Sequence, residues 1–396
     1  MVTEISDMCN IYRNSSLTIF AAAGDHADSG LFAYRGGPHR QESLPCNVTV
    51  SMGVKSVSEV CYVTVGLLYS RESNDPLYKR GWVLQEQVLS SRALLFGSRQ
   101  LSWQCGAGVR TKQRPDFEIG PLSVDGFDRT RIMLRPSTNT QTRGIRDFLL
   151  WHELVHDYSL RALTFSIDAL PAISGLATAM GTTYGYSYVG GLWRENFAED
   201  LLWRVVLARV NSLYISEREV SQGPSPPPTT FPSWTWASQW GKNIAWMTHY
   251  LQVTYEPLIE LVSQDDNITS GTTQYTEVAD KTIALRGRMK IFTVSEVEPG
   301  YAFFAEFQPS RWRAFLVDPD SRREIGGIAF DSDPAVCRLD QVYCLPCLKQ
   351  SDIKAPLICL GLSPVDLSRT RYRRVGFVYL NYETEGWSNE CTFYID

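Results

Sequence analysis

Four residues within one stretch of seven hold the densest chemistry in this chain: Arg80, Trp82, Gln85 and Glu86. Trp82, Gln85 and Glu86 stand at i, i+3 and i+4, a spacing that places all three on one face of a helix. A glutamate beside an arginine can act as a general acid or base, or can clamp a ligand. Glu86 and Arg80 are therefore the candidate catalytic residues, with Trp82 and Gln85 as binding groups. The same four residues fit more readily a structural Arg–Glu pair holding a helix under an aromatic ring, because ion-pair networks perturb pKa without doing chemistry.

Three other constellations carry a possible chemistry. His152, Glu153 and His156 match the H-E-x-x-H pattern, in which two histidines one helical turn apart chelate zinc and the glutamate activates a bound water. A third ligand is not evident: Glu195 and Glu199 lie far downstream, and Asp157 puts a charge directly after the second histidine. Cys344 and Cys347 form a C-x-x-C, with Cys337 and Cys359 nearby. Such a set can hold structural zinc, but the strand-like surroundings favour buried free thiols. Trp234 and Trp236 can present an aromatic binding surface or pack rings at a hinge between parts of the chain. Gly185 to Val189 fails as a nucleophile elbow, since Val189 stands where the second glycine belongs. His26, His39 and His249 have no nameable partner.

Composition narrows the functional class. The 396 residues are 44% hydrophobic and 20% charged, which is enough chain for two or three domains with a real core. Eleven tryptophans and nineteen tyrosines make aromatic packing the expected theme of that core. A net charge of -5 and no basic stripe disfavour nucleic-acid binding. The opening residues lack a secretory pattern, and no apolar run has the length of a membrane helix. The expected location is cytoplasmic, where the nine cysteines stay reduced.

The elements that must position these residues can be sketched from periodicity. Residues 4–14 read as a helix and Leu17 to Ala22 as a buried strand. Residues 47–69 contain β-type runs, the stretch after Pro76 is helical, and Ala93 to Phe96 and Gln100 to Trp103 are short strands. From about 143 to 215 helical spacing dominates: Phe148, Trp151, Val155 and Tyr158 mark one helix, Asp168 to Met180 a second and Glu195 to Val210 a third. Gln222 to Pro232 is a proline-rich linker. Beyond it strand-like runs recur, at Thr282 to Arg288, Lys290 to Val294, Ala302 to Phe307, Ala314 to Val317, Ile328 to Asp331, Gln341 to Leu345, Leu357 to Leu362 and Arg374 to Leu380. The predicted class is α+β: a partial α/β region over 1–125, a helical region over 126–221, the linker over 222–232 and a β-rich module, sandwich or barrel-like, over 233–396.

Pro76 to Cys105 resembles the third conserved block of the fungal heterokaryon-incompatibility (HET) domain, through Arg80, Gly81, Trp82, Leu84, Gln85, Glu86, Leu89, Ser90, Arg92, Phe96, Trp103 and Cys105. Met8 to Asn14 followed by Leu17 to Ala22 resembles the end of the second block. Trp151 to Thr164, Asp168 to Leu176, Gly191 to Glu195, Pro232 to Ser238 and Tyr372 to Gly376 are similar to the region downstream of such domains. The Tyr-Cys-Trp-Gly-like and Trp-Ile-Asp-Ser-Leu-Cys-like runs that open a HET domain do not occur, so the resemblance predicts a domain shortened at its front. Complete HET domains resemble TIR domains, some of which cleave NAD. Without the opening blocks, the resemblance implies a role in non-self recognition and regulated cell death that works by interaction and without a cofactor. The partner is a protein or a small molecule, with no nucleic acid and no membrane. Two alternatives remain: a scaffold repurposed as an isomerase- or cyclase-type enzyme of fungal secondary metabolism, and a zinc hydrolase built on His152 and His156.

Overall fold

The computed structural model describes residues 2–32, 43–52, 55–64, 75–98, 101–105, 108–111, 114–119, 145–206, 231–246, 255–262, 282–295, 298–299, 312–332, 339–350, 356–366, 368–381 and 385–396. Most of the linker 222–232, the expected strand Ala302 to Phe307, Cys337, His39 and His249 lie outside these residues.

The N-terminal part contains helix α1 (Val2–Asn14), strand β1 (Thr18–Phe20), an antiparallel hairpin of β2 (Ser43–Met52) and β3 (Lys55–Thr64), and helix α2 (Gly81–Leu89). Strands β4 (Arg92–Phe96), β5 (Leu101–Cys105), β6 (Gly108–Thr111) and β7 (Arg114–Ile119) follow. They build a five-stranded sheet in the order β1-β4-β5-β6-β7. The β1–β4 pair is parallel, with Ile19 opposite Leu94, and the other pairs are antiparallel. A parallel pair needs a crossover, and α2 lies on it. Side chains alternate across a strand, so Ala93 and Leu95 turn toward Phe20, Ala22, Tyr78 and Val83 to form a small buried cluster. The expected buried strand at 17–22 is buried on one face only. Ile19 on the other face is 54% exposed.

The middle of the chain is organised by α3 (Ile145–Ser159), whose predicted core face is present: Trp151, Val155 and Tyr158 are fully buried. The predicted second helix begins later than its periodicity suggests. Two 3-10 turns, Ser166–Ala169 and Pro171–Ile173, precede α4 (Ser174–Tyr184), which ends at Gly185 in the left-handed conformation. A hairpin of β8 (Tyr188–Val189) and β9 (Leu192–Trp193) turns through Gly190 and Gly191, both with positive φ, as a two-residue turn of this kind requires. The expected third helix is corrected. Among its described residues a 3-10 turn (Arg194–Asn196) leads into the short helix α5 (Phe197–Asp200), and Trp203–Val205 forms β10, paired with β11 (Ile244–Trp246). Trp203 opposite Trp246 is the aromatic cross-strand packing that overrides a helical spacing.

The C-terminal part is β, and between the two expected forms it takes the barrel. Its strands are β12 (Tyr255–Pro257), β13 (Glu260–Val262), β14 (Ile283–Gly287), β15 (Lys290–Val294), β16 (Glu298–Pro299), β17 (Trp312–Val317), β18 (Glu324–Phe330), β19 (Gln341–Gln350), β20 (Leu357–Pro364), β21 (Arg371–Leu380) and β22 (Cys391–Ile395). Six of them close antiparallel in the order β15-β17-β18-β21-β20-β19. All six contribute to one apolar cluster, including Phe292, Leu316, Ile328, Val342, Cys359 and Val378, which fills the interior as expected for a small barrel. The alternate residues of β19, β20 and β21, among them Leu345, Leu348, Ile358, Leu360 and Phe377, join the core that contains Trp151, Trp193 and Trp203. The outer face of the barrel wall is thereby the floor under the helices.

Candidate functional site

Helix α2 is placed by the residues around it. Gly81 donates its N–H to the Ala162 carbonyl at 2.8 Å, and Ala162 N–H returns to Lys79 at 2.6 Å. A side chain at Gly81 would stand 2.6 Å from Leu163 Cδ2, so glycine permits this close approach of two segments. From this anchored start the helix presents Arg80 exposed, Trp82 and Glu86 half-buried, and Gln85 fully buried.

The structure brings Glu86 and Arg80 together and adds a partner that sequence reasoning missed. The Tyr12 hydroxyl of α1 donates to the Glu86 carboxylate. Burial raises the Glu86 pKa, while the Tyr12 bond and the nearby Arg80 charge pull it down. Tyr12 is pushed up to about 12, first by burial and then by the Glu86 charge. The signal for this contact was the helical reading of residues 4–14; its docking against α2 is a tertiary fact. Trp82 makes a second unforeseen contact, donating its indole N–H to Asp168, whose carboxyl is raised by burial and lowered by that bond. A phenol and a guanidinium thus meet one half-buried carboxylate, and an indole one turn away on α2 meets another.

Gln85 is not at that surface. Its Oε1 accepts the backbone N–H of Gly175 at 2.7 Å, inside the first turn of α4, and its side chain is fully buried. The expected binding role is corrected to a capping one, since an orphan helix N–H must find an acceptor.

Trp234 and Trp236 are likewise corrected. Both are fully buried and offer no accessible ring. Trp236 Nε1 and Trp151 Nε1 both donate to the Gly191 carbonyl, at 2.9 and 3.0 Å, and Trp203 Nε1 donates to the Trp234 carbonyl at 2.9 Å. These rings hold the β8–β9 turn in the core.

The H-E-x-x-H spacing is realised on α3, yet its groups do not converge on a metal. His152 is fully buried, with Nε2 2.7 Å from Asp200 Oδ1 and its ring stacked on Trp246 at 4.2 Å. His156 Nδ1 donates to the Ile244 carbonyl at 2.7 Å, and Glu153 points to the exposed side. Asp200 also accepts Trp193 N–H at 2.6 Å and Asn196 Nδ2–H at 2.8 Å. Burial lowers the pKa of His152 to about 4 and raises that of Asp200 to about 7, so burial favours the neutral form of each. Among the described residues no group of three or more His, Cys, Asp or Glu is arranged to hold a metal ion. Cys344, Cys347 and Cys359 are buried free thiols, with pKa values raised by burial.

A further site of dense polar contact joins the barrel to the middle of the chain. Arg374 of β21, itself buried, donates to both oxygens of Asp331 at 2.8 and 3.2 Å and to the carbonyls of Leu201 and Trp203. Its guanidinium lies 3.3 Å from the centre of the Trp203 ring. Among the described residues no helix is long and apolar enough to cross a membrane.

No curated protein and no solved structure gives a significant match to the chain. Residues 1–86, from α1 through the Tyr12–Glu86 contact, match the family model described as Heterokaryon incompatibility protein (HET).

Proposed function

We propose that this chain is a heterokaryon-incompatibility-type protein of fungal non-self recognition and regulated cell death. It acts by interaction through a contact surface centred on Glu86. The observation that carries this reading is the Tyr12–Glu86 hydrogen bond beside Arg80, which lies wholly within the matched residues 1–86. Tyr, Trp and Arg are the residue types that dominate binding energy at protein interfaces. Tyr12 and Arg80 stand beside the Glu86 carboxyl, and Trp82 lies one turn away on the same helix. The test is viability after inducible expression in a fungal host, beside Glu86→Ala at equal abundance. Death with the parent and survival with the variant is the expected result. Survival with both overturns the reading.

A further inference from the structure

We propose that Cys46 and Cys61 are a peroxide-responsive dithiol, which closes into a disulfide across the β2–β3 hairpin, stabilises it, and reopens on reduction. This goes beyond the recognition reading and does not depend on it.

The two cysteines stand directly opposite each other in the antiparallel register of β2 and β3. Opposed residues on such strands have Cα atoms about 4.5 or 5.5 Å apart, according to the hydrogen-bond class of the pair. Both spacings lie within the range of about 4.4–6.8 Å that a disulfide bridges. The side-chain pattern enforces this register. The pairs Leu44–Val63 and Val50–Val57 share the face of Cys46 and Cys61, while Thr49–Ser58 and Ser51–Ser56 occupy the other. A slip of one residue would set the apolar positions of one strand against the hydroxyls of its partner.

The opposition is particular to this pair. In the registers of the other described strands, Cys105 faces Arg92 and Gly108, Cys344 faces Lys290 and Gly361, Cys359 faces Pro346 and Val378, and Cys391 faces Gly287. Cys344, Cys347 and Cys359 are moreover buried, and burial holds them as thiols, whereas the thiolate is the reactive form. Among the described residues β2 and β3 pair only with each other. A two-stranded sheet has little stability of its own, and closing the intervening loop by a cross-link restricts the unfolded chain. In a reducing compartment such a pair senses oxidant and is not a permanent staple.

The chemistry balances with hydrogen peroxide as the oxidant. One thiolate attacks a peroxide oxygen, so an S–O bond forms, the O–O bond breaks and, with a proton, water leaves. The second thiol attacks the resulting sulfenic sulfur; the S–S bond forms, the S–O bond breaks and a second water departs. Two thiols lose two electrons and the peroxide is reduced to two waters.

Tryptic mapping of the full chain tests this, since cleavage after Arg40, Lys55 and Arg71 puts the two cysteines on separate peptides, 41–55 and 56–71. After hydrogen peroxide and alkylation, these peptides should be recovered joined and two hydrogens lighter, from chains that remain monomeric without reductant. Excess reduced glutathione should separate them. Amide exchange over 43–64 should slow about tenfold or more in the joined chain. Cys46→Ser and Cys61→Ser should each abolish the joined peptides, and dimedone should trap a sulfenic acid on the remaining cysteine in at least one of them. No joined peptides, joining to any other cysteine or only between chains, a link that survives glutathione, or unchanged exchange overturns the proposal.

Discussion

The carboxamide oxygen of Gln85 accepts the backbone N–H of Gly175 at 2.7 Å, joining α2 to the first turn of α4 across ninety positions of sequence. The contact is tight: a Cβ on Gly175 would lie 2.6 Å from Gln85 Oε1. Gly175→Ala should therefore push the two helices apart and lower stability by about 2 kcal/mol, as overpacking in a filled core does. Urea titration followed by tryptophan fluorescence checks this. An unchanged midpoint would mean that α2 and α4 are free to separate at this point.

Glu86 should make stability fall as pH rises. Burial raises its folded pKa above the unfolded value. Between those two values the native state holds a proton that the unfolded state has released, so stability present below the unfolded pKa is lost as pH rises through the folded one. Glu86→Gln should flatten the slope above the ordinary glutamate range. The check is the difference in denaturant midpoint between parent and variant from acid to neutral pH. A constant difference would deny the shift.

His152 and Asp200 should mask each other. The lowered His152, taken alone, loses stability as pH falls from 6.5 to about 4. The raised Asp200, taken alone, loses stability as pH rises from 3.8 to about 7. The opposite slopes cover nearly the same window and largely cancel in the parent. His152→Leu removes one of them, leaving stability that declines with rising pH between those Asp200 values. It also strips a donor from a fully buried carboxyl, at a cost of about 3 kcal/mol near neutrality. Thermal melts at several pH values separate the two effects. A variant as flat as the parent would contradict the buried assignment.

Arg374→Lys should be severe although it conserves charge. Lysine cannot span both Asp331 oxygens and the Leu201 and Trp203 carbonyls, nor stack flat on the Trp203 ring. A loss of about 3 kcal/mol is expected, since Asp331 is left buried with a poorly matched partner. Equal urea midpoints for parent and variant would show that the barrel does not depend on this clamp.

Local pattern carried much of the fold. The helical face of Phe148, Trp151, Val155 and Tyr158 was legible because a period near 3.6 survives in any packing environment. The barrel strands were legible because Gly, Pro and Asp punctuate short β-branched runs. Glu195 to Val210 misled because Leu201, Leu202 and Val205 fit a helical stripe. Asp200 instead folds back on Trp193 and Asn196, and Trp203 pairs with Trp246.

What the sequence determined by itself was the α+β class, the resemblance centred on Arg80, Trp82 and Glu86, and the helical spacing of His152 and His156. Only the tertiary structure decided which of these groups face outward. The spacing of Trp82, Gln85 and Glu86 shows that they share a face but not what covers it. Packing against α4 buried Gln85, while α1 brought Tyr12 to Glu86 and the 162–168 segment brought Asp168 to Trp82. The same logic spent His152 on Asp200. A buried polar atom must find a partner, and the nearest one in space is set by contacts that periodicity does not encode.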